Sequence, residues 1–243
     1  MRLRIAISTL AKEIPWEAVL KPGRSFAYGL LEKGAPELGT RLHEKGWGPY
    51  GMVPFGHSAP VFPSAQRLPG KYAAGGTGWL ELGSPMPEVI QGWALGLAGT
   101  QMIDWGGVAL RVRGVSVVDT PTPTGTVRFR TSNPVVMKGS GLDADGVRVT
   151  RQAWVLPGDE EFGAYFAQNL RRKAETLGLA PEVELDRIMW VGPKRSFAVK
   201  DGHKPGAAIE VELSGTREVL AGIRDWGLGQ ANSGGFGWVG TWN

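Results

Sequence analysis

Hydrophobic residues alternate with polar ones in some segments of the chain and recur at helical spacing in others. Leu3, Ile5 and Ile7 alternate with Arg2, Arg4 and Ala6, which predicts a β-strand. Apolar residues recur every three or four positions from Asp159 to Leu177, which predicts the longest helix. Similar patterns predict strands at 78–83, 108–118, 127–130, 147–155, 184–191, 207–213 and 236–242, a broken strand or hairpin at 50–63, and helices at 24–33, 38–44, 86–97 and 216–226.

Two breaks divide this pattern. Pro22-Gly23 is expected to interrupt a short helical start at residues 16–20. The alternating threonines and prolines from Thr120 to Gly125 disfavour both helix and central strand, so this segment is the best candidate for a linker. We therefore expect two domains, residues 1–120 and 121–243.

The order strand, helix, strands, helix, strand occurs roughly twice along the chain. This is the order of a ferredoxin-like fold, which is also the plan of the RRM. The prediction is an α+β protein with two tandem ferredoxin-like (RRM-like) domains and antiparallel sheets. A length of 243 residues suits two such domains.

Charge and composition narrow the function only slightly. The chain has 27 Lys and Arg against 23 Asp and Glu, a net charge of +4, which suits a polyanionic partner without requiring one. The absence of cysteine excludes disulfides, thiolate metal sites and cysteine nucleophiles, and it fits a reducing cytoplasm. No segment approaches the roughly 18 apolar residues of a membrane span, so we expect a cytoplasmic protein without a membrane partner.

The segment 227–239 is rich in glycine and carries the most information. Gly227-Leu228-Gly229 and Gly235-Phe236-Gly237 form two Gly-x-Gly pairs between a predicted helix and a predicted strand. Glycine allows positive φ and close approach, and exposed N–H groups can hold phosphate oxygens, with Asn232 and Ser233 as further donors. A tight loop that only packs well is the alternative. A dinucleotide fingerprint follows a strand and opens a helix, so it does not fit this context.

The run from Ile209 to the C-terminus, with these glycine pairs, resembles the glycine-rich signature of the CRISPR-associated RAMP superfamily. It looks most like the Cas-six group, the endoribonucleases that cut CRISPR precursor RNA within each repeat. Leu42-His43-Glu44 resembles the Leu-His segment of that group, in which the histidine is catalytic. The resemblance implies a reaction without metal or cofactor. The ribose 2′-OH attacks the adjacent phosphorus, which leaves a 2′,3′-cyclic phosphate and a 5′-OH.

The resemblance and residue chemistry together assign roles to a few side chains. His43 is expected to be the general base, because histidine titrates near neutrality. Tyr28 would donate to the leaving oxygen or orient the phosphate. Lys45 is the nearest cation for the phosphorane, with Arg24 and Arg41 as rivals. The alternatives are that His43 only caps helix carbonyls and that Tyr28 is a half-buried aromatic.

The two other histidines are weaker candidates. His57 is the second choice for the base. His203 lies in a predicted turn or loop and would be structural or an RNA contact. Three scattered histidines argue against a zinc site.

CRISPR repeat RNA is the expected partner, with other CRISPR effector subunits or a second copy of the chain as further partners. The predicted RNA-binding residues are Gly227, Gly229, Asn232, Ser233, Gly235, Gly237, Lys194, Arg195, Arg128 and Arg130. Three alternatives stay open: a non-catalytic RAMP scaffold for guide RNA, a general RRM-like module and an unrelated small-molecule enzyme. An RRM-like module should carry an RNP1-like run of aromatic residues, which this sequence does not show. For a small-molecule enzyme, the sequence offers no candidate site beyond the glycine-rich segment.

Overall fold

The computed structural model describes residues 1–67, 69–118, 125–139, 154–199 and 202–240, with the side chains of residues 198, 199 and 202 left aside. The helices are α1 (Lys21–Gly34), α2 (Pro36–Glu44), α3 (Pro87–Leu97), α4 (Phe162–Thr176) and α5 (Arg217–Trp226). The strands of the first half are β1 (Arg2–Thr9), β2 (Glu13–Ile14), β3 (Gly56–His57), β4 (Tyr72–Ala73), β5 (Gly76–Gly83), β6 (Met102–Trp105) and β7 (Val108–Val118). Those of the second half are β8 (Gly125–Arg130), β9 (Met137–Lys138), β10 (Trp154–Val155), β11 (Val183–Val191), β12 (Arg195–Val199), β13 (Gly202–Gly206) and β14 (Ile209–Gly215).

The first sheet is antiparallel and has the order β3-β5-β1-β7-β6. The central strand β1 buries Leu3, Ile5 and Ile7 on one face, as their alternation predicted. Helices α1 and α3 lie so close together that a Cβ on Gly34 would stand 2.0 Å from the carbonyl oxygen of Gly92. This close approach fixes α1, the helix that later supplies site residues.

The second sheet is antiparallel with the order β11-β14-β8. Val239 forms an isolated bridge with Thr131 next to β8, in the segment where the last strand was predicted. Helix α5 begins with Thr216 as its N-cap, whose side chain accepts a hydrogen bond from the Val219 N–H at 3.4 Å.

Both halves share one topology. In each half the first strand lies between two later segments, because β1 is flanked by β5 and β7, and β8 by β14 and the segment at Val239. The chain is thus an α+β protein of two tandem ferredoxin-like folds, as its element order predicted. One buried hydrophobic cluster belongs to the first half and also takes in Val136 and Phe236, and a second cluster lies wholly in the second half.

Several predicted elements changed at their ends or in kind. Pro22 and Gly23 do not break a helix. They lie in the first turn of α1, where backbone N–H groups have no partner within the helix, so the missing N–H of proline costs nothing. Residues 195–199 and 202–206 pair as β12 and β13, the β12–β13 hairpin, which the sequence did not predict, so His203 lies on a strand and not in a turn or loop. Of the strand predicted at 147–155, only residues 154 and 155 are described. Residues 119–124 lie outside the described part, so the domain boundary at residue 120 stays a prediction.

A buried arginine joins the two halves. Arg2 on β1 is 1% exposed, and its guanidinium donates to the carbonyl oxygens of Val239, at 2.7 Å, and Arg224. It also lies 3.9 Å from the centre of the Trp238 ring. Burial lowers the pKa of Arg2 to about 10, so the side chain stays charged at neutral pH. The contacts fix the last strand segment against the first sheet.

Within the described residues, no helix is both long and apolar enough to cross a membrane.

Candidate nucleic-acid interface and catalytic site

A cleft of about 1310 Å³ lies between the two halves of the molecule. Helices α1 and α2 form one wall, and β9, the β12–β13 hairpin and the glycine-rich loop form the other. Among the described residues that line it are five basic side chains, Lys21, Arg24, Lys138, Arg195 and Lys204, and a single carboxylate, Glu17. An excess of cations in a concave surface attracts polyanions and raises their local concentration.

Aromatic rings lie between these cations. Trp16, Trp154, Phe197 and Phe236 also line the cleft. Lys138 lies 5.1 Å from the Trp154 ring, and Arg195 lies 5.9 Å from the ring of Trp16. Alternating cations and aromatic surfaces can bind phosphates and stack bases of a single strand.

Arg24 and Tyr28 lie one turn apart on α1, so both side chains point the same way. The Arg24 guanidinium lies 5.6 Å from the centre of the Tyr28 ring. Burial raises the pKa of Tyr28, against the opposing effect of the Arg24 charge. Tyr28 therefore keeps its proton at neutral pH and can act as a donor.

The Tyr28 ring contacts His43 edge to face, with ring centres 5.1 Å apart. Phe55 supports the same ring at 5.3 Å. The Tyr28 hydroxyl donates to the Leu42 carbonyl oxygen at 3.4 Å, next to His43 in the last turn of α2. His43 is exposed and lines the cleft. The structure thus brings the predicted pair Tyr28 and His43 together and places Arg24, one of the rival cations, beside them.

The third predicted catalytic residue lies elsewhere. Lys45 is the C-cap of α2 and lines a separate shallow depression with Thr40 and Glu44. Arg41, the other rival cation, stacks over Trp47 at 4.1 Å. Lys45 and His43 are two positions apart, which on a helix places them on different faces. Of the three predicted cations, only Arg24 reaches the cleft.

His57, the second choice for a base, is fully buried. Its Nδ1 lies 2.9 Å from the Ser58 carbonyl oxygen, so this nitrogen carries the proton, and Nε2 has no hydrogen-bond partner. Burial lowers its pKa to about 4. The ring fills the space between α1 and the glycine-rich loop, since a Cβ on Gly23 or Gly235 would meet it at 2.1 or 2.5 Å. A side chain without access to the cleft cannot take a proton from substrate, so the prediction for His57 is wrong.

The glycine-rich loop is mostly buried, unlike the exposed phosphate cradle that the sequence suggested. Gly227, Gly229, Gly235 and Gly237 are all buried. The N–H groups of Gly227, Gly235 and Gly237 donate to the carbonyl oxygens of Ile223, Asn232 and Pro134. These three donors are therefore committed within the protein.

Steric contacts explain why the loop needs glycine. Gly237 has a φ of +63°, and a Cβ there would lie 1.8 Å from the Leu228 carbonyl oxygen. Gly229 has a φ of +66°, and its Cβ would lie 2.6 Å from a methyl group of Val135. Only glycine tolerates both the positive φ and the close approach. The part of the loop that lines the cleft is Gly234 and Phe236.

Asn232 organises this loop from inside. Its amide nitrogen donates to the carbonyl oxygens of Leu228 and Phe236, both at 2.9 Å, which uses both amide hydrogens. Its side-chain oxygen accepts from the buried Lys173 amine at 2.7 Å, and that amine also contacts the Gly227 carbonyl oxygen. The Asn232 amide thus has no hydrogen left to donate to RNA, contrary to the sequence-based prediction. Ser233 is buried beside it.

The predicted basic contacts fall into two groups. Arg195 lines the cleft, whereas Lys194 is exposed just before β12. Arg128 and Arg130 lie on the solvent face of the second sheet, where they face Glu212 at 3.6 Å and Glu210 at 3.8 Å. Sequence reasoning missed Lys204 as a cleft residue, because its hairpin was read as a loop. The arrangement as a whole defines a tandem ferredoxin-like protein with a cationic interdomain cleft.

Comparison with known proteins gives the family. The model of the CRISPR associated protein Cas6 C-terminal family matches residues 118–241, just over half of the 243-residue chain. The chain belongs to the Cas6 family, the Cas-six group that its motifs resemble. A search of curated proteins finds no match.

Solved structures with similar folds cover nearly the whole chain. One is described as a RAMP protein binding different RNA substrates, with a TM-score of 0.81, 16% identity and 98% of each chain covered. A second, described as a CRISPR associated protein Cas6, has a TM-score of 0.78, 21% identity and covers 100% of this chain and 99% of its own. A third is a Cas6-related protein from Pyrococcus furiosus, with a TM-score of 0.77, 20% identity and coverages of 99% and 97%. At these identities the likeness establishes the fold.

Proposed function

We propose that this protein is a metal-independent endoribonuclease that cleaves CRISPR precursor RNA within its repeats to give guide RNAs. The observation that carries the proposal is that Arg24 and His43 both line a cation-rich cleft and both contact the ring of Tyr28. Membership of the Cas6 family supports CRISPR RNA as the substrate. The RNA would enter the cleft as a single strand, held by the cations and by the aromatic rings between them.

In the proposed reaction, His43 takes the proton from the ribose 2′-OH as that oxygen attacks the adjacent phosphorus. The bond to the 5′-oxygen of the next nucleotide breaks, and this oxygen leaves with a proton as a 5′-OH. The products are a 2′,3′-cyclic phosphate and a 5′-OH end. An exposed histidine suits the role of base, because an imidazole nitrogen can accept a proton and the side chain is open to the substrate.

Tyr28 would donate to the leaving oxygen or hold the phosphate in line. Its raised pKa keeps the hydroxyl protonated, and the long hydrogen bond to the Leu42 carbonyl oxygen would be exchanged for one to the substrate. Arg24 replaces Lys45 as the cation on this wall, because its guanidinium shares the cleft with His43. A charge placed where the phosphorane forms stabilises the transition state more than the ground state.

The test uses a labelled repeat RNA from the same genome, incubated in excess EDTA with wild-type protein or with His43→Ala. We expect the wild type to cut at one site and to leave a cyclic phosphate, and the variant to be slower by about 10³-fold with unchanged RNA affinity. Cleavage by His43→Ala at the wild-type rate would remove His43 from the mechanism. Tight binding without cleavage by either protein would instead support the non-catalytic scaffold.

A further inference from the structure

The wall of the cleft opposite His43 contains a lysine that no motif identifies. On the β12–β13 hairpin, Lys204 lies directly across from Phe197. Both contact Phe236 of the glycine-rich loop, with the Lys204 amine 5.6 Å from the ring centre and the Phe197 ring at 5.9 Å. The Lys204 amine therefore lies over an aromatic ring, and the side chain lines the cleft.

The amine of Lys204 lies among other positive charges. Its pKa is lowered first by partial burial and then by the charges of Lys138 and Arg24. The three cations come from three segments, β13, β9 and α1. Among the residues that the structure describes, Lys204 forms no ion pair with a carboxylate.

Like charges that converge at a partly buried site repel each other, which costs free energy in the unliganded protein. An anion bound among the three cations would offset this repulsion and would be attracted by each of them. In a protein that binds RNA, the anion of matching charge and geometry is a backbone phosphodiester.

The position of Arg24 indicates which phosphate this is. Arg24 contacts Tyr28, and Tyr28 contacts His43, so the group of cations adjoins the proposed general base. Building on the proposed function, we propose that Lys204 binds the scissile phosphate from the hairpin side of the cleft and stabilises the negative charge of the phosphorane. The first half of the chain would then supply the base and Arg24, and the second half would supply the opposing cation.

Lys204 would share with Arg24 the role that was predicted for Lys45, which lies in a separate depression. It also gives the β12–β13 hairpin a catalytic purpose. The active site would be complete only when the hairpin is seated on Phe236.

The test compares single-turnover cleavage at saturating protein for wild type, Lys204→Gln and Lys204→Arg. Lys33→Gln serves as the matched control, because it removes the same charge from an exposed position on α1 away from the cleft. We expect Lys204→Gln to be about 100-fold slower, as for loss of one transition-state donor, Lys204→Arg to keep most of the rate and Lys33→Gln to match the wild type. Lys204→Met, which retains an apolar stem on Phe236, repeats the test if the glutamine variant aggregates.

A binding experiment identifies the phosphate. Two repeat RNAs carry 2′-deoxyribose at the cleavage position to prevent reaction, and one of them has a neutral methylphosphonate at the scissile linkage. We expect the wild type to prefer the charged linkage and Lys204→Gln to lose most of that preference. The other phosphates are unchanged, so a structural defect would weaken binding of both RNAs equally.

The outcomes separate this inference from the proposed function. Suppose that the wild type cleaves the repeat RNA. Lys204 then does not bind the scissile phosphate if Lys204→Gln cleaves at nearly the same rate, or if Lys204→Gln weakens the binding of both RNAs equally. If the wild type cleaves no repeat RNA, the proposed function fails, whatever Lys204 binds.

Discussion

The glycine-rich loop and the α1–α2 wall contribute to the same cleft but differ in almost every physical respect. In the loop, glycines are buried, the N–H groups of Gly227, Gly235 and Gly237 bond within the protein, and Asn232 uses both amide hydrogens on loop carbonyls. On the wall, Arg24 and His43 are exposed, and they meet through the ring of Tyr28.

The difference shows that the most visible motif need not be the chemical one. A loop whose backbone bends at four buried glycines tolerates few residue types, so it stands out in a sequence. Exposed side chains that act on a substrate leave a weaker pattern. The loop shapes the cleft and presents Gly234 and Phe236, whereas the wall carries the groups proposed for catalysis.

The largest expected effect comes from alanine substitutions at two glycines of the loop. Gly237→Ala should lower the free energy of unfolding by at least about 3 kcal/mol, because the new Cβ would stand 1.8 Å from the Leu228 carbonyl oxygen at a φ of +63°. Gly234→Ala is the control, since its Cβ would meet nothing closer than 3.6 Å. Urea unfolding of both variants measures the effect. Equal stability of the two variants would mean that Gly237 does not pack against the Leu228 carbonyl.

A second, smaller effect should appear at the wall and in activity only. Tyr28→Phe keeps the ring between Phe55 and His43 but removes the hydroxyl that donates to Leu42. We expect cleavage about tenfold slower, the value of one hydrogen bond, with the unfolding midpoint nearly unchanged. Single-turnover kinetics and thermal unfolding of the same preparations check this. A large loss of stability with full activity would make Tyr28 a structural residue.

The smallest expected effect is the pH dependence that His57 gives to the stability of the protein. Burial lowers the pKa of His57 from 6.5 to about 4, so between these values the unfolded chain takes up a proton that the folded chain does not. The contribution of His57 to stability is complete above pH 6.5 and is lost as the pH falls toward 4. The urea midpoints at pH 7 and pH 5 should therefore lie closer together in His57→Gln than in the wild type. An equal change in urea midpoint between pH 7 and pH 5 for the wild type and His57→Gln would contradict a buried, neutral His57.

Much of the fold could be predicted because its signals are local. The alternation of Leu3, Ile5 and Ile7 predicted β1, and the helical spacing of apolar residues predicted α4. The β12–β13 hairpin was missed, since its segment carries a proline and glycines that locally favour a turn. Phe197 on β12 packs against Phe236, a contact between residues far apart in the chain that a local pattern does not show.

The candidate site was predicted in part. Resemblance pointed to His43 and Tyr28, and the structure places them in contact. Their neighbourhood in sequence suggested Lys45, but the helix turns that side chain away from the cleft. Lys204 could not be found in this way, because 161 positions separate it from His43 and only the closure of the cleft brings both to one cavity.

The sequence by itself determined the element order, the α+β class, the repeated ferredoxin-like plan and the glycine positions, because periodicity and turn chemistry act over a few residues. Only the tertiary structure decided which polar groups are available. It buried His57 and the Asn232 amide and left His43 exposed, since burial depends on what the rest of the chain places around each side chain. It also brought Arg24 and Lys204 to one cleft, because two separately patterned halves meet there.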